Sequence, residues 1–491
     1  MTDSDIMSDK IGWSFDNTYS KLPDDLLVRQ KPIPVKSPEL VIINEKLSKD
    51  LDLNFTNINR KNLAQIFSGN LLPTGSNSIS QAYAGHQFGH FTMLGDGRAV
   101  LIGEHISKNK ERSDIQLKGS GKTPFSRNGD GRAALGPMLR EYIISEAMYG
   151  LGVPTTRSLA VIKTGENIIR ETYLPGAILT RVASSHIRVG TFQYIAASQK
   201  KKNLKVMLDY VINRHYPNIK NSKNLALDLL KVLIDAQASL VVQWMRIGFI
   251  HGVMNTDNMS ISGETIDYGP CAFMDEYNPE TVFSSIDQQG RYAFLNQPKI
   301  TKWNLARFAE CIIPLIDDDQ DKAIELATDT INSFEKVYKT KWLNMMRDKL
   351  GLFGEDINDE ILIMELLTWM HNNKADYTNT FCFLMNEKFS INKKYNNEDF
   401  IIWKKKWQNR LQLNKNTDEK YLKLMHSVNP LVIPRNHKVE EALKAANDNN
   451  LEPTKRLIEV LEKPYTNQEN ISEFQSADFS KIEKYQTFCG T

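Results

Sequence analysis

Three oxygen-bearing side chains stand close together in HGVMNTDNMSISGETIDYG, residues 251–269: Asp257, Asn258 and Asp267. Carboxylate and amide oxygens are the ligands that Mg2+ and Mn2+ accept, with phosphate oxygens and water completing the coordination. Asn258 and Asp267 are nine residues apart, and MSISGETI between them reads as two short strands joined at Ser262 and Gly263, a hairpin that would bring both oxygens to one cation. Asp257 is a carboxylate placed to accept a hydroxyl proton, its alternative being a turn or cap residue. Anion-binding groups lie upstream. Gly95 and Gly97 flank Asp96 in LGDGR, where glycine lets backbone N–H groups approach a phosphate and Arg98 adds charge, although a plain β-turn has the same pattern. Asp130 and Gly131 make a second glycine turn before a helical stretch whose N-terminus favours anions. Arg181 and Arg188 fall in RVASSHIRVG, and two arginines in one short stretch suit a triphosphate clamp as well as surface ion pairs.

Order along the chain adds to these signals. In DIQLK, strand alternation puts Ile115 and Leu117 on one face and Gln116 and Lys118 on the other. Glu141 follows 23 residues later in a helical pattern. A strand Lys paired with a Glu on the next helix is how kinase-type phosphotransferases hold their phosphate-binding lysine. Residues 251–258 fit the same scheme, because Asn258 stands seven residues after His251, at the metal-binding position, and DYG takes the place of DFG. The base position two residues after the histidine holds Val253, which accepts no proton. His251 itself reads as a structural histidine.

The elements that must position these groups are legible in outline. From Gln81 to about Lys118, glycine turns and alternating runs predict a small antiparallel sheet. AALGPMLREYIISEAMYGLG repeats Leu135, Leu139 and Ile143 at helical spacing and ends at Gly152 and Pro154. A long apolar helix from Leu225 to Gly248 runs into the 251–269 stretch, and from about Asp317 the pattern is helical almost throughout. The expected fold is α+β and protein-kinase-like, with a small β-rich N-lobe, a larger helical C-lobe and an extra helical C-terminal region. The expected segments are 1–80 as a packing extension, 81–175 as N-lobe, 176–320 as C-lobe and 321–491 as the helical remainder.

Composition narrows the partners. With 61 basic and 59 acidic residues, no global field draws the chain to nucleic acid or an anionic membrane. No apolar run reaches the length of a membrane span, and the first residues are acidic where a targeting peptide is basic. The four cysteines (Cys271, Cys311, Cys382 and Cys489) have neither zinc-site nor disulfide-framework spacing. The expectation is a cytoplasmic protein.

Beyond single motifs, the ordered set GHQFGHFTMLGDGRA, DIQLKGSGKTPFSRNGDGRAALGPMLREYIISEAM, RVASSHIRVGTF, GFIHGVMNTDNMSISGETIDYGPCAFMD and NPLVIPRNH resembles the selenoprotein O family, also called YdiU-type proteins, from about Tyr83 to the last residues. The resemblance implies a protein adenylyltransferase on a pseudokinase fold, which binds ATP reversed relative to kinases and transfers AMP to Ser, Thr or Tyr hydroxyls with release of pyrophosphate; some members use UTP. Reversal explains Val253, since the kinase base position then has no work to do. Carried over by motif, Gly95, Gly97, Arg98, Lys118, Asp130, Gly131, Arg181 and Arg188 bind ATP, Glu141 orients Lys118, Asp257 accepts the proton, and Asn258 with Asp267 holds Mg2+ or Mn2+. Family members often carry a selenocysteine or cysteine near the C-terminus linked to redox control; Cys489 is third from the end, with its partner unassigned. Two other readings stay open: a kinase-type phosphotransferase with Asp257 as base, and a non-catalytic nucleotide-binding scaffold. The full set Lys118, Glu141, Asn258 and Asp267 argues against the second.

Overall fold

The computed structural model describes residues 11–389, 393–413, 417–478 and 485–488. Its strands, in chain order, are β1 (Leu27–Arg29), β2 (Glu39–Ile43), β3 (Ile79–Gln81), β4 (Ala84–Gln87), β5 (His90–Met93), β6 (Ala99–Ile106), β7 (Arg112–Lys118), β8 (Ala133–Ala134), β9 (Arg157–Ile169), β10 (Tyr173–Ala183), β11 (Phe249–Ile250) and β12 (Ala272–Phe273). Eight of them form one antiparallel sheet in the order β1-β3-β6-β7-β10-β9-β2, with β8 paired to β10, while β4 and β5 make a separate hairpin. The alternation read in DIQLK holds: Ile115 and Leu117 are buried against Leu159, Ile162 and Ile178 and against Leu63 and Phe67 of the helix Arg60–Phe67. The opposite face packs on the helix Leu135–Gly150, where Leu135 and Leu139 meet Val161, Ala177 and Leu179. Each such fully buried aliphatic side chain contributes about 1.5–3 kcal/mol. Gln116 and Lys118 face that helix too, and therefore Glu141.

Both border strands, β1 and β2, lie between residues 27 and 43, so part of the expected packing extension builds the sheet's edges. The expected boundary between residues 175 and 176 falls inside β10, which pairs with both β7 and β9.

Helices make up most of the remaining chain. The helix Leu225–Ile247 starts where the Asn224 side chain accepts from the Leu227 N–H, and it stops at Gly248, whose φ of 70° is the left-handed conformation that glycine adopts without strain. The chain then enters β11, which pairs antiparallel with β12. This two-residue ladder closes the loop 251–271. The expected hairpin within MSISGETI does not form. Ser260 bridges to Arg188 and Thr265 to Thr155, so two outside segments hold this stretch and its own ends do not pair.

Farther along, the helices Gln320–Lys349, Asp359–Asn372 and Asn436–Asn447 cover the loop's far side. Arg435, at the start of Asn436–Asn447, ties that helix to the segment after β12 and to the cap of the helix Tyr377–Met385, with its guanidinium 2.7 Å from Asp275 and 2.9 Å from Asp376, all three buried. Among the described residues no helix is long and apolar enough to cross a membrane.

Candidate active site

Between the sheet and the 251–271 loop lies a cavity of about 210 Å3, lined by Tyr83, Gln87, Asp96, Gly97, Arg98, Lys118, Arg181, Arg188, Val253, Asn255, Asp257, Asn258 and Asp267 among others. A larger cleft of about 750 Å3, lined mainly by aliphatic residues of the helices Gln297–Ile316 and Gln320–Lys349, brings none of these groups together.

The cavity's electrostatic centre is Asp267. Its Oδ1 accepts from Lys118 Nζ at 2.9 Å and Arg181 Nη1 at 2.6 Å, and its Oδ2 accepts from Arg188 Nη1 at 2.6 Å. Burial alone would raise this carboxyl's pKa, but the three cations hold it well below the usual carboxylate range. Asp267 is also a non-glycine residue at φ 62°, a strained conformation costing on the order of 1–3 kcal/mol that its partners hold in place. Glu141 Oε2 takes a 2.5 Å hydrogen bond from Lys118 Nζ, and its Oε1 takes one of 3.2 Å from Arg181. Three cations thus share two carboxylates, and an arriving polyphosphate can compete for their N–H groups.

Asp257 has a different environment. It sits in a 3-10 turn, Thr256–Asn258, anchored from below: Thr256 Oγ1 donates to Gln193 Oε1 at 2.6 Å and accepts the His86 N–H at 2.7 Å. Its backbone carbonyl accepts from Arg188 at 2.7 Å, and the Arg188 guanidinium stacks over the Tyr83 ring. The carboxylate lies against Gly85 of β4, and among the described residues its buried Oδ1 has no hydrogen-bond partner. Burial pushes its pKa up to about 6, with the nearby Arg188 charge opposing. A carboxylate with a free oxygen and a pKa near neutrality suits proton acceptance. Asp96 has a pKa raised to about 6 by burial as well, but its Oδ2 is engaged by the Gln81 N–H and the Gln116 amide.

The donor set fits a hard divalent cation. Asn258 turns its NH2 to the Val253 carbonyl at 2.9 Å, and no described residue donates to its Oδ1. Asn258, Asp267 and Asp257 all line one cavity. Among the described residues no group of three His, Cys, Asp or Glu forms a cation cage by itself, so an ion here would take its other ligands from phosphates and water, as Mg2+ does.

The structure therefore brings together Gly97, Arg98, Lys118, Arg181, Arg188, Asp257, Asn258 and Asp267, with Glu141 directly behind Lys118. Three expected binding residues lie off the cavity wall. Gly95 packs on the Phe125 ring and Gly131 on the Gly121 backbone, while Asp130 is held by Arg170 at 2.9 and 3.1 Å, which lowers its pKa. The helix N-terminus expected at Asp130 and Gly131 lies farther on, at Leu135 after β8. Val253 lines the cavity, and His251 is buried with Nε2 2.9 Å from the Ile266 carbonyl, as a structural histidine should be.

Sequence reasoning missed Tyr83, Gly85, Asp96 and Gln116. Only Gln116 carried a signal, being an amide on the same strand face as Lys118. Cys489 lies outside the described residues. Cys271, Cys311 and Cys382 are buried, and burial pushes each thiol up to about 12.

Comparison with known proteins gives the family. The family model described as Protein adenylyltransferase SelO matches residues 10–462. The Protein nucleotidyltransferase YdiU of Pelagibacter ubique (strain HTCC1062) is 65% identical over 481 residues, covering 98% of this chain and 100% of that one. The protein of the same name from Nitrosococcus oceani is 56% identical over 98% of each chain, and that from Shouchella clausii 53% identical over 99% of this chain and 100% of the relative. Since the match runs through every segment that lines the cavity, from β4 to the loop at 251–271, the chain belongs to the SelO (YdiU) family.

Proposed function

We propose that this protein, a protein adenylyltransferase by family, binds ATP reversed on a kinase-like two-lobed scaffold and transfers AMP to Ser, Thr or Tyr hydroxyls of proteins. One observation carries the reading: the proton acceptor available in the cavity is Asp257, buried with a free Oδ1, while the kinase base position holds Val253. In this reading Lys118, Arg181, Arg188 and Arg98 neutralise the polyphosphate, and Glu141 keeps Lys118 directed at it. The acceptor hydroxyl attacks the α-phosphorus in line; the new O–P bond forms as the bond from that phosphorus to the bridging oxygen breaks, pyrophosphate leaves, and the hydroxyl proton passes to Asp257. Asn258 and Asp267 would hold Mg2+ or Mn2+, which would neutralise phosphate charge. UTP is an alternative donor for the same chemistry, because nothing in this account depends on the base.

The test is to incubate the purified protein with Mg2+ and ATP labelled at the α- or the γ-phosphate. Protein-bound label from α alone supports the proposal. Label from γ alone identifies a phosphotransferase, and label from neither, with protein substrates supplied, leaves a nucleotide-binding scaffold.

A further inference from the structure

Gln116 has no exposed surface, yet it is an amide in the middle of a strand whose neighbours Ile115 and Leu117 are core. A buried amide is costly unless both ends are satisfied. Its Nε2 donates to Asp96 Oδ2 at 3.2 Å, and its Oε1 accepts from Arg181 Nη2 at 2.6 Å and Nε at 3.2 Å. The direction of the amide is fixed by chemistry: a carboxylate only accepts and a guanidinium only donates, so the NH2 must face Asp96 and the oxygen must face Arg181. Asp96 is anchored in turn by the Gln81 N–H at 3.1 Å. With one side of the guanidinium fork taken by Gln116, Arg181 presents Nη1 to Asp267 at 2.6 Å and Glu141 at 3.2 Å.

We propose that Asp96 and Gln116 are positioning residues: a one-way relay from the turn at 95–97 through Gln116 fixes the Arg181 fork, and the fork fixes the Asp267 carboxylate. The relay rests on the site reading above but not on which phosphate is transferred. It links four separate segments, namely the end of β3, the glycine turn, β7 and β10, to the loop that carries Asp267. Rotation of Arg181 would leave Asp267 Oδ1 to Lys118 alone, and displacement of a reacting geometry by about 1 Å is worth as much as 100-fold in rate.

The relay's polarity supplies its test. Asp96→Asn and Gln116→Glu are each made alone and then together, the pair keeping the net charge. In Asp96→Asn alone, the amide oxygen can keep both donors that Asp96 Oδ2 holds, the Gln81 N–H and Gln116 Nε2, so this variant removes the charge and leaves the polarity. In Gln116→Glu alone, two carboxylates are set against each other. In the pair, the amide at position 96 turns its NH2 to the carboxylate at position 116 and its oxygen to the Gln81 N–H, and an acceptor again faces Arg181. The expected result is a 10- to 100-fold loss of α-label transfer in Gln116→Glu, mainly in kcat with little change in KM for ATP, a smaller loss in Asp96→Asn, and recovery to within about threefold of wild type in the pair. The side-chain N–H signals of Arg181 in 15N-arginine-labelled protein, read without nucleotide, should shift or broaden in Gln116→Glu and return in the pair. Failure of the pair to restore those signals overturns the relay. Restored signals without restored rate would show instead that Asp96 acts directly on substrate and would overturn the positioning role. If wild type itself transfers no α-label, the adenylylation reading fails, while the arginine signals still decide the relay.

Discussion

Asp257 Oδ1 occupies the space that a side chain on Gly85 would need: a Cβ at that position would lie 2.0 Å from it. Strand β4 is therefore the wall against which the carboxylate rests, and glycine is what allows the contact. Gly85→Ala should push the whole Asp257 side chain away, because Cγ and Cβ would also lie 2.6 and 2.9 Å from the new atom and the turn that carries them must give. Transfer should fall about 100-fold or more, as expected when a general base is misplaced, with a melting temperature several degrees below wild type. A variant of wild-type rate would mean that Asp257 is not the acceptor.

The raised pKa of Asp257 fixes a pH profile. Below about 6 its carboxyl is protonated, so the rate should drop about tenfold per pH unit as pH falls through that value. Stability runs the other way. The folded pKa stands above the ordinary 3.8, so the neutral form favours the folded state; that contribution is complete below 3.8 and is lost as pH rises through about 6. Asp257→Asn, neutral throughout, should be more stable than wild type at about pH 8 by on the order of 2 kcal/mol, with the difference vanishing near pH 4. Melting curves across this range, beside rate profiles of both proteins, check both signs.

Asp267 holds three cations, and removing its charge frees them. Asp267→Asn should abolish transfer, with a loss of 100-fold or more, while binding of metal-free ATP tightens several-fold because Lys118, Arg181 and Arg188 no longer share a carboxylate. Calorimetry with and without Mg2+ separates the two effects. Weaker metal-free binding would remove this carboxylate as the phosphate's competitor.

Val253→Asp places a carboxylate where a kinase keeps its base. With ATP reversed, the γ-phosphate lies away from the acceptor, so the variant should transfer no γ-label. Appearance of that label would contradict the reversed pose.

Arg435 pairs with two buried carboxylates, Asp275 and Asp376. Arg435→Met strands both and should destabilise the protein by about 3–5 kcal/mol in denaturant titrations, with partial recovery when both aspartates are also changed to Asn.

The sequence made some of this geometry readable and concealed the rest, for definable reasons. The Lys118–Glu141 pair followed from alternation on one strand and periodicity on the next helix, which are local rules. The approach of Asn258 to Asp267 was anticipated through the wrong device, since a self-pairing hairpin is a local pattern whereas the β11–β12 ladder that closes the loop pairs residues more than 20 apart. Asp130 and Gly131 show the limit of motif spacing: a glycine turn near a helix start is an anion site only if the backbone faces the cavity, and here an arginine claims the aspartate instead. Gly85 gave no signal because its importance is the absence of a side chain opposite a residue 172 positions away.

The placement of β1 and β2 at opposite borders of the sheet has a consequence for solubility. These strands cap β3 on one side and β9 on the other, and β3 in turn covers β6, whose run from Ala99 to His105 is buried throughout. A chain lacking its first 80 residues would keep every cavity-lining group yet present β6 and β9 as two long, unpaired, largely apolar edges, which is the arrangement that templates strand-to-strand aggregation. Residues 11–80 put no side chain on the cavity wall, but they keep the sheet from adding a neighbour's strand to its own.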